Sequence, residues 1–550
     1  MFLTLGSDES SRGLTWYADT EEAGQVQYAK AADMVNGEFP AEYTAVDASA
    51  IPTNDEGFYS NQAVLSNLEE NTEYVYRVVN GDTISRTYSF ETGDFDSSFS
   101  FAFVGDPQIG AGTTPEDIEG WNETLDTIQN DMDVDFLFSA GDQVNVNNNE
   151  EQYAGYINDT FSSLASVTTI GNHDSGNAAY NEHFNLPNES AGLGATAAGT
   201  DYWFVYNNTL FMDINSNDLS TAEHKEFMEA AIAANPGVKW KTVIFHHSVY
   251  STASHTDDGD IIQRRSELPP VLDELGIDVV LMGHDHVYTR TYMMNGTTPD
   301  TADGVQSEVT DPDGVLYLTA NSASGSKYYD IKAPEAPFSA VMDQSYRRTV
   351  TEVEVTDTSY TMTTYYADDM TVLDKFTINK TSDVDTSALD ALIDEAQGLN
   401  QADYPADLWT EFETAYNAAV NFEVNMDTTQ ADVDAVYADL KAAMDKLAAS
   451  LPGGDGGNTD DPDNDGNQGN TGNPDNDGNQ GNTGNPDNDG NQGNAGDTGS
   501  NGNSGSSADK GGSKGNTPRT GDTVTAVPAV IMLGAAGCAV ILLLRRRKAN

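Results

Sequence analysis

The sequence predicts a multidomain protein: an N-terminal β-sandwich, an α/β sandwich, a small α-helical bundle, a disordered linker and a C-terminal transmembrane helix. Short alternating strands fill residues 1–95, strands alternate with helices over residues 97–380, and three amphipathic stripes follow in residues 385–450. Residues 451–516 lack core-forming side chains, and residues 517–550 include a long apolar run. A chain of 550 residues is too long for a single core, which agrees with this division.

The composition is strongly acidic. Aspartate and glutamate contribute 89 residues and lysine and arginine 25, which gives a formal net charge of −64. Because nucleic-acid binding requires a basic surface, no nucleic acid polymer is expected as a partner. The sequence has one cysteine, Cys538, so no intrachain disulfide can form.

The N-terminal region, residues 1–95, consists of alternating apolar and polar runs separated by turn-forming clusters. Residues 65–78 have the pattern of a tyrosine corner, in which a tyrosine near the start of a strand binds the backbone upstream of it. Together with residues 14–17 and 88–92, this pattern resembles the fibronectin-type-III-like N-terminal domain of purple acid phosphatases. We therefore expect a β-sandwich here.

Five apolar strands in residues 97–380 each lead into a cluster of polar residues. The clusters are Gly105-Asp106-Pro107-Gln108, Gly141-Asp142, Gly171-Asn172-His173-Asp174, His246-His247 and Gly283-His284-Asp285-His286. Because ligands gather at the carboxyl ends of the strands in open α/β sheets, these clusters are expected to converge. Carboxylate, amide and imidazole groups suit zinc, manganese or iron. Five of the eight histidines lie in these clusters, which predicts a metal centre.

The order of these clusters is similar to that of calcineurin-like metallophosphoesterases, and with the preceding sandwich it is most similar to the purple acid phosphatase branch. The resemblance implies a four-layer α/β/β/α sandwich with two divalent metal ions, of iron, zinc or manganese. The implied metal ligands are Asp106, Gln108, Asp142, Asn172, His246, His284 and His286. Asp142 would bridge the ions; Asp106 and His286, with Gln108 as a further candidate, would bind the first, and the remaining three residues the second.

Two positions depart from the family pattern. Many members have a histidine two residues after the first aspartate, where this chain has Gln108, and purple acid phosphatases have a tyrosine where this chain has Asn145. Without a tyrosinate ligand, the purple charge-transfer colour should be absent and a ferric ion loses an anionic donor. We therefore predict two divalent ions, or a weaker first site.

The resemblance implies acid-phosphatase-like hydrolysis of small phosphate esters by a metal-bound hydroxide. His173 would face the phosphoryl group, and His255, nine residues after His246, would contact the substrate or protonate the leaving group. Two alternatives remain open. One is a phosphodiesterase or nucleotidase, and the other is a non-catalytic adhesin or carbohydrate-binding protein built on a phosphoesterase scaffold.

Several other residues are interpreted without a catalytic role. Asp174 adjoins predicted ligands and is expected to orient a neighbour, whereas Asp285 is expected either in solvent or orienting a ligand. His183 and His224 have no partner motif and are expected on the surface. The small residues 321–325 fit either a wall of the pocket or a tight turn.

The region 385–450 shows three apolar stripes at helical spacing. The stripes are Leu389, Leu392, Ile393 and Ala396; Trp409, Phe412 and Tyr416; and Val433, Val436, Leu440 and Leu447. This pattern resembles FIVAR-type modules of bacterial surface proteins and carbohydrate-active enzymes. A sugar-binding or spacer module and an inert stalk bundle are both compatible with it.

The linker, residues 451–516, is rich in glycine, asparagine and aspartate and is expected to be a disordered tether. A twelve-residue period is visible at Pro462, Pro474 and Pro486. The repeated aspartates resemble the start of a calcium loop, but no bidentate glutamate follows, so a flexible spacer is the preferred interpretation.

The C-terminal residues 517–550 resemble a sortase sorting signal of Gram-positive surface proteins. Thr517-Pro518-Arg519-Thr520-Gly521 precedes an apolar run over residues 523–544, which ends in the basic residues 545–548. Thr517 stands where leucine is commonest. The resemblance implies a membrane span before sorting and then covalent attachment to peptidoglycan outside the cell; an ordinary membrane anchor is the alternative. No export signal is visible at Met1, so we expect a signal peptide upstream.

Overall fold

The computed structural model describes residues 1–95, 98–381, 384–422, 424 and 428–451, which belong to one compact unit spanning Met1–Asn458. The N-terminal domain begins at the first residues of the chain and is built from strands. They are β1 (Phe2–Leu5), β2 (Arg12–Ala18), β3 (Gln25–Lys30), β4 (Thr44–Asp47), β5 (Ser49–Pro52), β6 (Tyr59–Leu65), β7 (Glu73–Asn80), β8 (Thr83–Ile84) and β9 (Tyr88–Glu91). A 3₁₀ turn follows β3 at Ala31–Asp33.

These strands form two antiparallel sheets, one in the order β1-β2-β6-β5 and one in the order β4-β3-β7-β8, with β9 paired to β7. Tyr74, near the start of β7, accepts a hydrogen bond from the backbone N–H of Glu69 at 2.8 Å. This contact confirms the predicted tyrosine corner. The predicted β-sandwich character of this region is confirmed as well.

The central domain has the predicted alternation of strands and helices. Its first half contains β10 (Phe99–Val104), α1 (Thr114–Asp131), β11 (Phe136–Ser139), α2 (Glu150–Tyr156), β12 (Ala165–Thr168), α3 (Ala179–His183), β13 (Tyr202–Tyr206), β14 (Thr209–Asp213) and α4 (Thr221–Ala234). Its second half contains β15 (Trp240–Phe245), α5 (Gly259–Glu274), β16 (Val279–Met282), β17 (Tyr288–Thr291), β18 (Met294–Asn295), β19 (Thr298–Pro299), β20 (Glu308–Thr310), β21 (Leu316–Thr319), β22 (Ser339–Asp343), β23 (Thr349–Val355), β24 (Ser359–Tyr366) and β25 (Val372–Asn379).

Two seven-stranded sheets form the centre of this domain, in the orders β12-β11-β10-β23-β24-β25-β20 and β13-β14-β15-β16-β21-β17-β22. Alternate residues of the second sheet face different cores. Ile244 and Leu281 belong to the core between the sheets, and Phe245 and Met282 belong to the core under α4 and α5. Aromatic rings join the sheets, and Phe211 lies 5.5 Å from Phe101 between ring centroids.

Helices cover the outer faces, which completes the α/β/β/α arrangement. Trp121, Leu125 and Ile128 of α1 are buried at the predicted spacing of three and four residues. The spacing of Ser220 and Glu223 in the sequence predicts a capping box at the start of α4, but this prediction is wrong, since the Ser220 side chain makes no cap hydrogen bond. Ser220 instead caps α4 through its backbone carbonyl, which accepts from Glu223 N–H and His224 N–H.

The N-terminal and central domains share a continuous core. Phe2 is almost fully buried and its ring lies 4.9 Å from Phe161 and 4.8 Å from Phe184. Tyr76 Oη donates to the carbonyl of Ser162 at 2.7 Å across the same boundary. The two domains are therefore packed together rather than tethered.

The helical region contains α6 (Ser387–Gln397), α7 (Ala406–Val420) and α8 (Gln430–Ala449), with a 3₁₀ turn at Gln401–Asp403. The predicted stripes form their own hydrophobic cluster, which includes Leu392, Phe412 and Leu440. A capping box at Thr429 and Asp432 starts α8. Three helices around one small core agree with the predicted bundle.

Among the described residues, no helix combines the length and apolar character needed to cross a membrane. The predicted linker, the sorting motif 517–521 and the apolar run 523–544 lie outside the described residues, apart from the first residue of the linker, Leu451.

Candidate metal centre

The five polar clusters lie at the carboxyl ends of strands, as predicted. β10, β11 and β12 are mutually parallel in the first sheet, and β15 and β16 are parallel in the second. The strands therefore deliver their clusters to the same edge of the two-sheet core. The following contacts establish that the clusters meet.

A first group of donor atoms surrounds Asp106, which is fully buried. Its Oδ1 lies 3.5 Å from Nε2 of His286, and its Oδ2 accepts from the backbone N–H of His284 at 2.7 Å. Asp106 Oδ1 and Gln108 Oε1 are both buried without any hydrogen-bond partner. Two buried oxygens without a hydrogen-bond partner, one of them beside an imidazole nitrogen, are costly unless a cation satisfies them.

A second group surrounds Nε2 of His246. Asn172 Oδ1 lies 3.0 Å from this nitrogen, His284 Nδ1 lies 3.1 Å from it, and Asp142 Oδ1 lies 3.4 Å from it. One ligand atom from each of Asp106, Asp142 and His246 falls within 4.8 Å of the others. Asp142 therefore stands between the two groups, in the position predicted for a bridging carboxylate.

Backbone carbonyls fix the orientation of three of the histidines. His246 Nδ1 lies 2.9 Å from the carbonyl of Ala140, His286 Nδ1 lies 2.8 Å from that of Lys327, and His173 Nδ1 lies 2.8 Å from that of Asn145. A carbonyl oxygen only accepts, so each Nδ1 carries the proton. Nε2 of His246 and His286 is thereby left to bind a metal, and Nε2 of His173 is left to bind a substrate.

Glycines allow the clusters to approach one another. A β-carbon on Gly171 would lie 2.1 Å from Oδ1 of Asp142, one on Gly141 would lie 2.6 Å from Nδ1 of His246, and one on Gly283 would lie 2.6 Å from Oδ2 of Asp106. The backbone is also strained at the site, because Gln108, Asp142, His284 and His286 all have positive φ angles. Such conformations are typical of functional sites.

The electrostatics of the two groups are coupled. Burial raises the pKa of Asp106 to about 7. Burial also opposes the charge of His246, but the carboxylates of Asp142 and Asp106 outweigh it and raise the pKa of His246 to about 9. Burial acts against ionisation of Asp142 too, yet His246 holds the pKa of that carboxyl well below its usual value. The same carboxylates that favour a positive charge on His246 would favour a metal cation bound at its Nε2.

The two departures from the family pattern touch each other. Gln108 Nε2 donates to Oδ1 of Asn145 at 3.3 Å, which leaves Gln108 Oε1 as its unpartnered atom. The first group thus offers carboxylate and amide oxygens with one imidazole, and the second offers two imidazoles, an amide and the shared carboxylate. Both donor sets fit divalent ions of the manganese, iron and zinc series.

The two predicted catalytic histidines flank these groups. His173 donates its backbone N–H to Oδ1 of Asp142 at 2.8 Å and is half-buried. The His255 ring lies 4.1 Å from that of His284, and its Nδ1 lies 2.8 Å from Oδ2 of Asp258. The structure therefore brings all nine predicted site residues together.

Asp285 and Asp174 contact the backbone around the ligands, as expected. Asp285 accepts from Ser251 Oγ at 2.6 Å and from the N–H groups of Thr252 and Ala253, so it anchors the chain beyond His246. Asp174 accepts from the N–H of Gly171 at 2.9 Å, and burial together with the charge of Asp142 raises the pKa of Asp174 to about 8.

Two histidines expected on the surface are buried. His183 is sandwiched between Tyr17 and Tyr153 at the domain boundary, with its Nε2 3.0 Å from Glu150. His224 lies 2.8 Å from Oδ2 of buried Asp201. Neither prediction could use these partners, because the partners lie far away in the sequence.

Sequence reasoning also missed three residues beside the centre: Lys327, Tyr329 and Gln344. The Tyr329 ring lies 5.3 Å from the His286 ring, and the Lys327 ammonium lies 4.7 Å from the Tyr329 ring centroid. Gln344 Nε2 donates to the carbonyl of His286 at 2.7 Å. No motif marks these residues, and the one available signal was their position after the 321–325 turn.

Comparison with known proteins supports the assignment. Residues 99–288 match the family model of the calcineurin-like phosphoesterases, and residues 1–92 match that of the purple acid phosphatase N-terminal domain. An uncharacterised protein of Mycobacterium tuberculosis is 23% identical over 180 residues, which cover 29% of this chain and only 34% of that protein. Purple acid phosphatase 21 of Arabidopsis thaliana is 22% identical over 349 residues, 60% of this chain and 72% of that protein.

A purple acid phosphatase from yellow lupin (Lupinus luteus) seeds has a similar solved structure, with a TM-score of 0.57 and 17% identity over 69% of this chain and 74% of that chain. At this identity the similarity establishes the fold. Together with the family matches, it supports the prediction of a phosphoesterase enzyme.

Proposed function

We propose that this chain, which carries a calcineurin-like phosphoesterase domain behind a purple-acid-phosphatase N-terminal domain, hydrolyses small phosphate esters at a dinuclear centre of divalent metal ions. The observation that carries the proposal is the pair of donor groups that share Asp142. Their buried oxygens on Asp106 and Gln108 lack partners, and the Nε2 atoms of His246 and His286 are oriented by backbone carbonyls.

Each metal has a set of residues to hold it. Asp106, Gln108, His286 and the bridging Asp142 would hold the first, and Asn172, His246, His284 and Asp142 the second. A bound pair of divalent ions supplies Lewis acidity for the phosphoryl group and activates water as the nucleophile. The absence of a tyrosine at Asn145 removes the anionic ligand that favours a ferric ion, so both ions are proposed to be divalent.

The histidines that flank the centre have separate roles. His173 donates its Nδ1 proton to the Asn145 carbonyl, so its Nε2 would face the phosphoryl group. His255 is oriented by Asp258, 2.8 Å from its Nδ1, so its Nε2 would be free to protonate a leaving alkoxide. Acid-phosphatase-like chemistry follows from this arrangement.

We also propose that the enzyme acts outside a Gram-positive cell, attached covalently to peptidoglycan after sortase cleavage between Thr520 and Gly521. The order of motif, apolar run and basic end in residues 517–548 supports this location. The helical module 385–450 would then space the catalytic domains from the wall or bind carbohydrate. Mass spectrometry of protein released from cell walls tests the attachment: a C-terminal peptide ending at Thr520 linked to a wall fragment supports it, and an intact C-terminus contradicts it.

The activity is tested with p-nitrophenyl phosphate and bis-p-nitrophenyl phosphate, using the purified protein loaded in turn with manganese, zinc or ferrous iron. Asp142→Ala removes the bridging carboxylate, and Asp313→Ala changes an exposed aspartate as the matched control. We expect metal-dependent turnover that survives Asp313→Ala and is lost in Asp142→Ala, because one substitution deprives both ions of a ligand.

The metal content separates the alternatives. Two bound ions with turnover of the diester alone would favour the phosphodiesterase. A protein that binds no metal and turns over neither substrate would be the non-catalytic scaffold, and the proposed function would be wrong.

A further inference from the structure

The loop 321–330, which follows β21, is attached to the first metal-ligand segment. Ser322 Oγ donates to the carbonyl of Asp106 at 3.1 Å, and the hydroxyls of Ser324 and Ser326 donate to the carbonyl of Pro107. The turn at Gly325 has a φ of 77°, which glycine adopts without strain. The small residues here therefore make a tight turn that is fastened to the metal centre.

The other end of the loop is fastened to His286. Gln344 Nε2 donates to the carbonyls of both His286 and Tyr329, at 2.7 Å and 2.5 Å. His286 Nδ1 donates in turn to the carbonyl of Lys327. The backbone of residues 327–329 is thus held by His286, a candidate metal ligand, and by Gln344, which also binds the backbone of His286.

Two side chains of this loop, Tyr329 and Lys327, lie beside the candidate metal centre. The ring of Tyr329 is nearly perpendicular to the rings of His286 and His255, at centroid distances of 5.3 Å and 5.2 Å. Lys327 places its ammonium 4.7 Å from the Tyr329 centroid, and both side chains are half-buried. The cation therefore lies on a ring that contacts both a candidate metal ligand and the proposed leaving-group histidine, and the backbone carbonyl of Lys327 itself binds His286.

Lys327 differs from Arg347 and Arg348, the two arginines that follow it in the chain, because no carboxylate neutralises its charge. Arg347 forms ion pairs with Asp368 and Asp369, and Arg348 pairs with Glu123. Lys327 forms no ion pair with any residue that the structure describes. The chain has a formal charge of −64, which repels an approaching phosphate ester. An unpaired cation beside the candidate phosphate site would offset that repulsion locally.

We propose that Lys327 positions the substrate and selects dianionic phosphate monoesters over monoanionic diesters. The proposal rests on the phosphoesterase function proposed above and extends it to substrate class. The ammonium contacts the substrate's charge rather than the reacting atoms, so Lys327 is a positioning residue and not a catalytic one.

The charges of the two ester classes set the size of the effect. Coulomb energy scales with the product of the charges, so a dianion loses twice the interaction energy of a monoanion when the ammonium is removed. A tenfold loss for a monoester therefore corresponds to about a threefold loss for a diester, because affinity depends exponentially on energy. Added salt should reduce both losses, because Lys327 is partly exposed.

The test uses the metal-loaded full chain, Lys327→Met, and Lys332→Met as the matched control. Lys332 is five residues along the same segment and exposed. At about pH 8, we expect Lys327→Met to raise KM for p-nitrophenyl phosphate about tenfold and KM for bis-p-nitrophenyl phosphate about threefold, with kcat nearly unchanged. Calorimetry should show about tenfold weaker binding of inorganic phosphate, the same metal content, and recovery in Lys327→Arg.

The outcomes separate this inference from the proposed function. A wild type that turns over neither ester contradicts the function, and the phosphate affinity of Lys327→Met then decides the anion-positioning role. An active wild type whose KM ratio is unchanged in Lys327→Met overturns the role of Lys327. The same conclusion follows if Lys332→Met shifts the ratio equally.

Discussion

Substitution of Gly171 by alanine tests whether the metal ligands converge as the structure shows. A β-carbon at this position would lie 2.1 Å from both the backbone nitrogen and Oδ1 of Asp142, about 1.3 Å inside the 3.4 Å at which ordinary contact begins. Asp142 has little freedom to withdraw, since its carbonyl accepts from Gln108 N–H at 2.7 Å and its Oδ1 accepts from His173 N–H at 2.8 Å.

The magnitude follows from that displacement. A shift of about 1 Å in a catalytic group costs on the order of 10²-fold in rate. Overpacking a filled position costs about 1–3 kcal/mol of unfolding free energy, which is a fraction of the ~5–15 kcal/mol typical of folded proteins. We therefore expect Gly171→Ala to remain folded while kcat/KM falls at least about a hundredfold, as a displacement of this size implies.

The assay combines three measurements on the same preparation: turnover of p-nitrophenyl phosphate, metal content by mass spectrometry and the thermal unfolding temperature. Gly237→Ala is the control, because a β-carbon there would meet nothing within 4 Å. If Gly171→Ala binds two ions per chain and keeps more than about a third of the activity, the close approach of the strand ends is wrong, because a ~1 Å shift would cost far more.

Three further predictions concern the surrounding structure. Burial raises the pKa of Asp213 well above its usual value, so the stability that its protonated form contributes is present below the ordinary carboxyl pKa and is lost as pH rises. Asp213→Asn should therefore raise the unfolding temperature at about pH 8 but not at about pH 4. Equal shifts at both pH values would contradict this. Phe2→Ala should lower the free energy of unfolding by about 3–5 kcal/mol, and calorimetry should show the N-terminal and central domains melting together at a lower temperature, since Phe2 packs on Phe161 of the central domain. The iron-loaded wild type should show no visible charge-transfer band, whereas Asn145→Tyr should produce one after oxidation; a coloured wild type would refute the assignment at Asn145.

The positions of the metal ligands could be predicted because local sequence carries them. An apolar strand followed by Gly-Asp or Gly-His fixes both a strand end and the residue type that stands there. The strand at 240–245 shows the pattern: it ends at Phe245, and His246 follows at once with Nε2 among the ligands. The helical stripes were predictable for a similar reason, because the spacing of Trp121, Leu125 and Ile128 depends only on helix geometry.

Contacts between distant segments could not be predicted. His183 has no local partner, and its burial depends on Tyr17 of another domain and on Tyr153. Lys327 reaches the metal centre because Gln344 and His286 hold its loop, and neither interaction leaves a pattern at Lys327 itself. The sequence predicted which groups converge at the candidate metal centre, whereas the position of Lys327 depends on how its loop is held over that centre.

Gln108 and Asn145, the two positions where this chain differs from the family pattern, are joined by a hydrogen bond and are therefore best explained together. A histidine at the first position or a tyrosine at the second would each present a ring to the first metal, and this chain has neither. Instead, Gln108 Nε2 donates to Asn145 Oδ1, and Gln108 Oε1 is left buried without a hydrogen-bond partner. The carbonyl of Asn145 simultaneously orients His173. The side chain of Asn145 thus orients Gln108, a candidate ligand of the first ion, while its backbone carbonyl orients His173, so a substitution at Asn145 should alter metal affinity while leaving the contact to His173 in place.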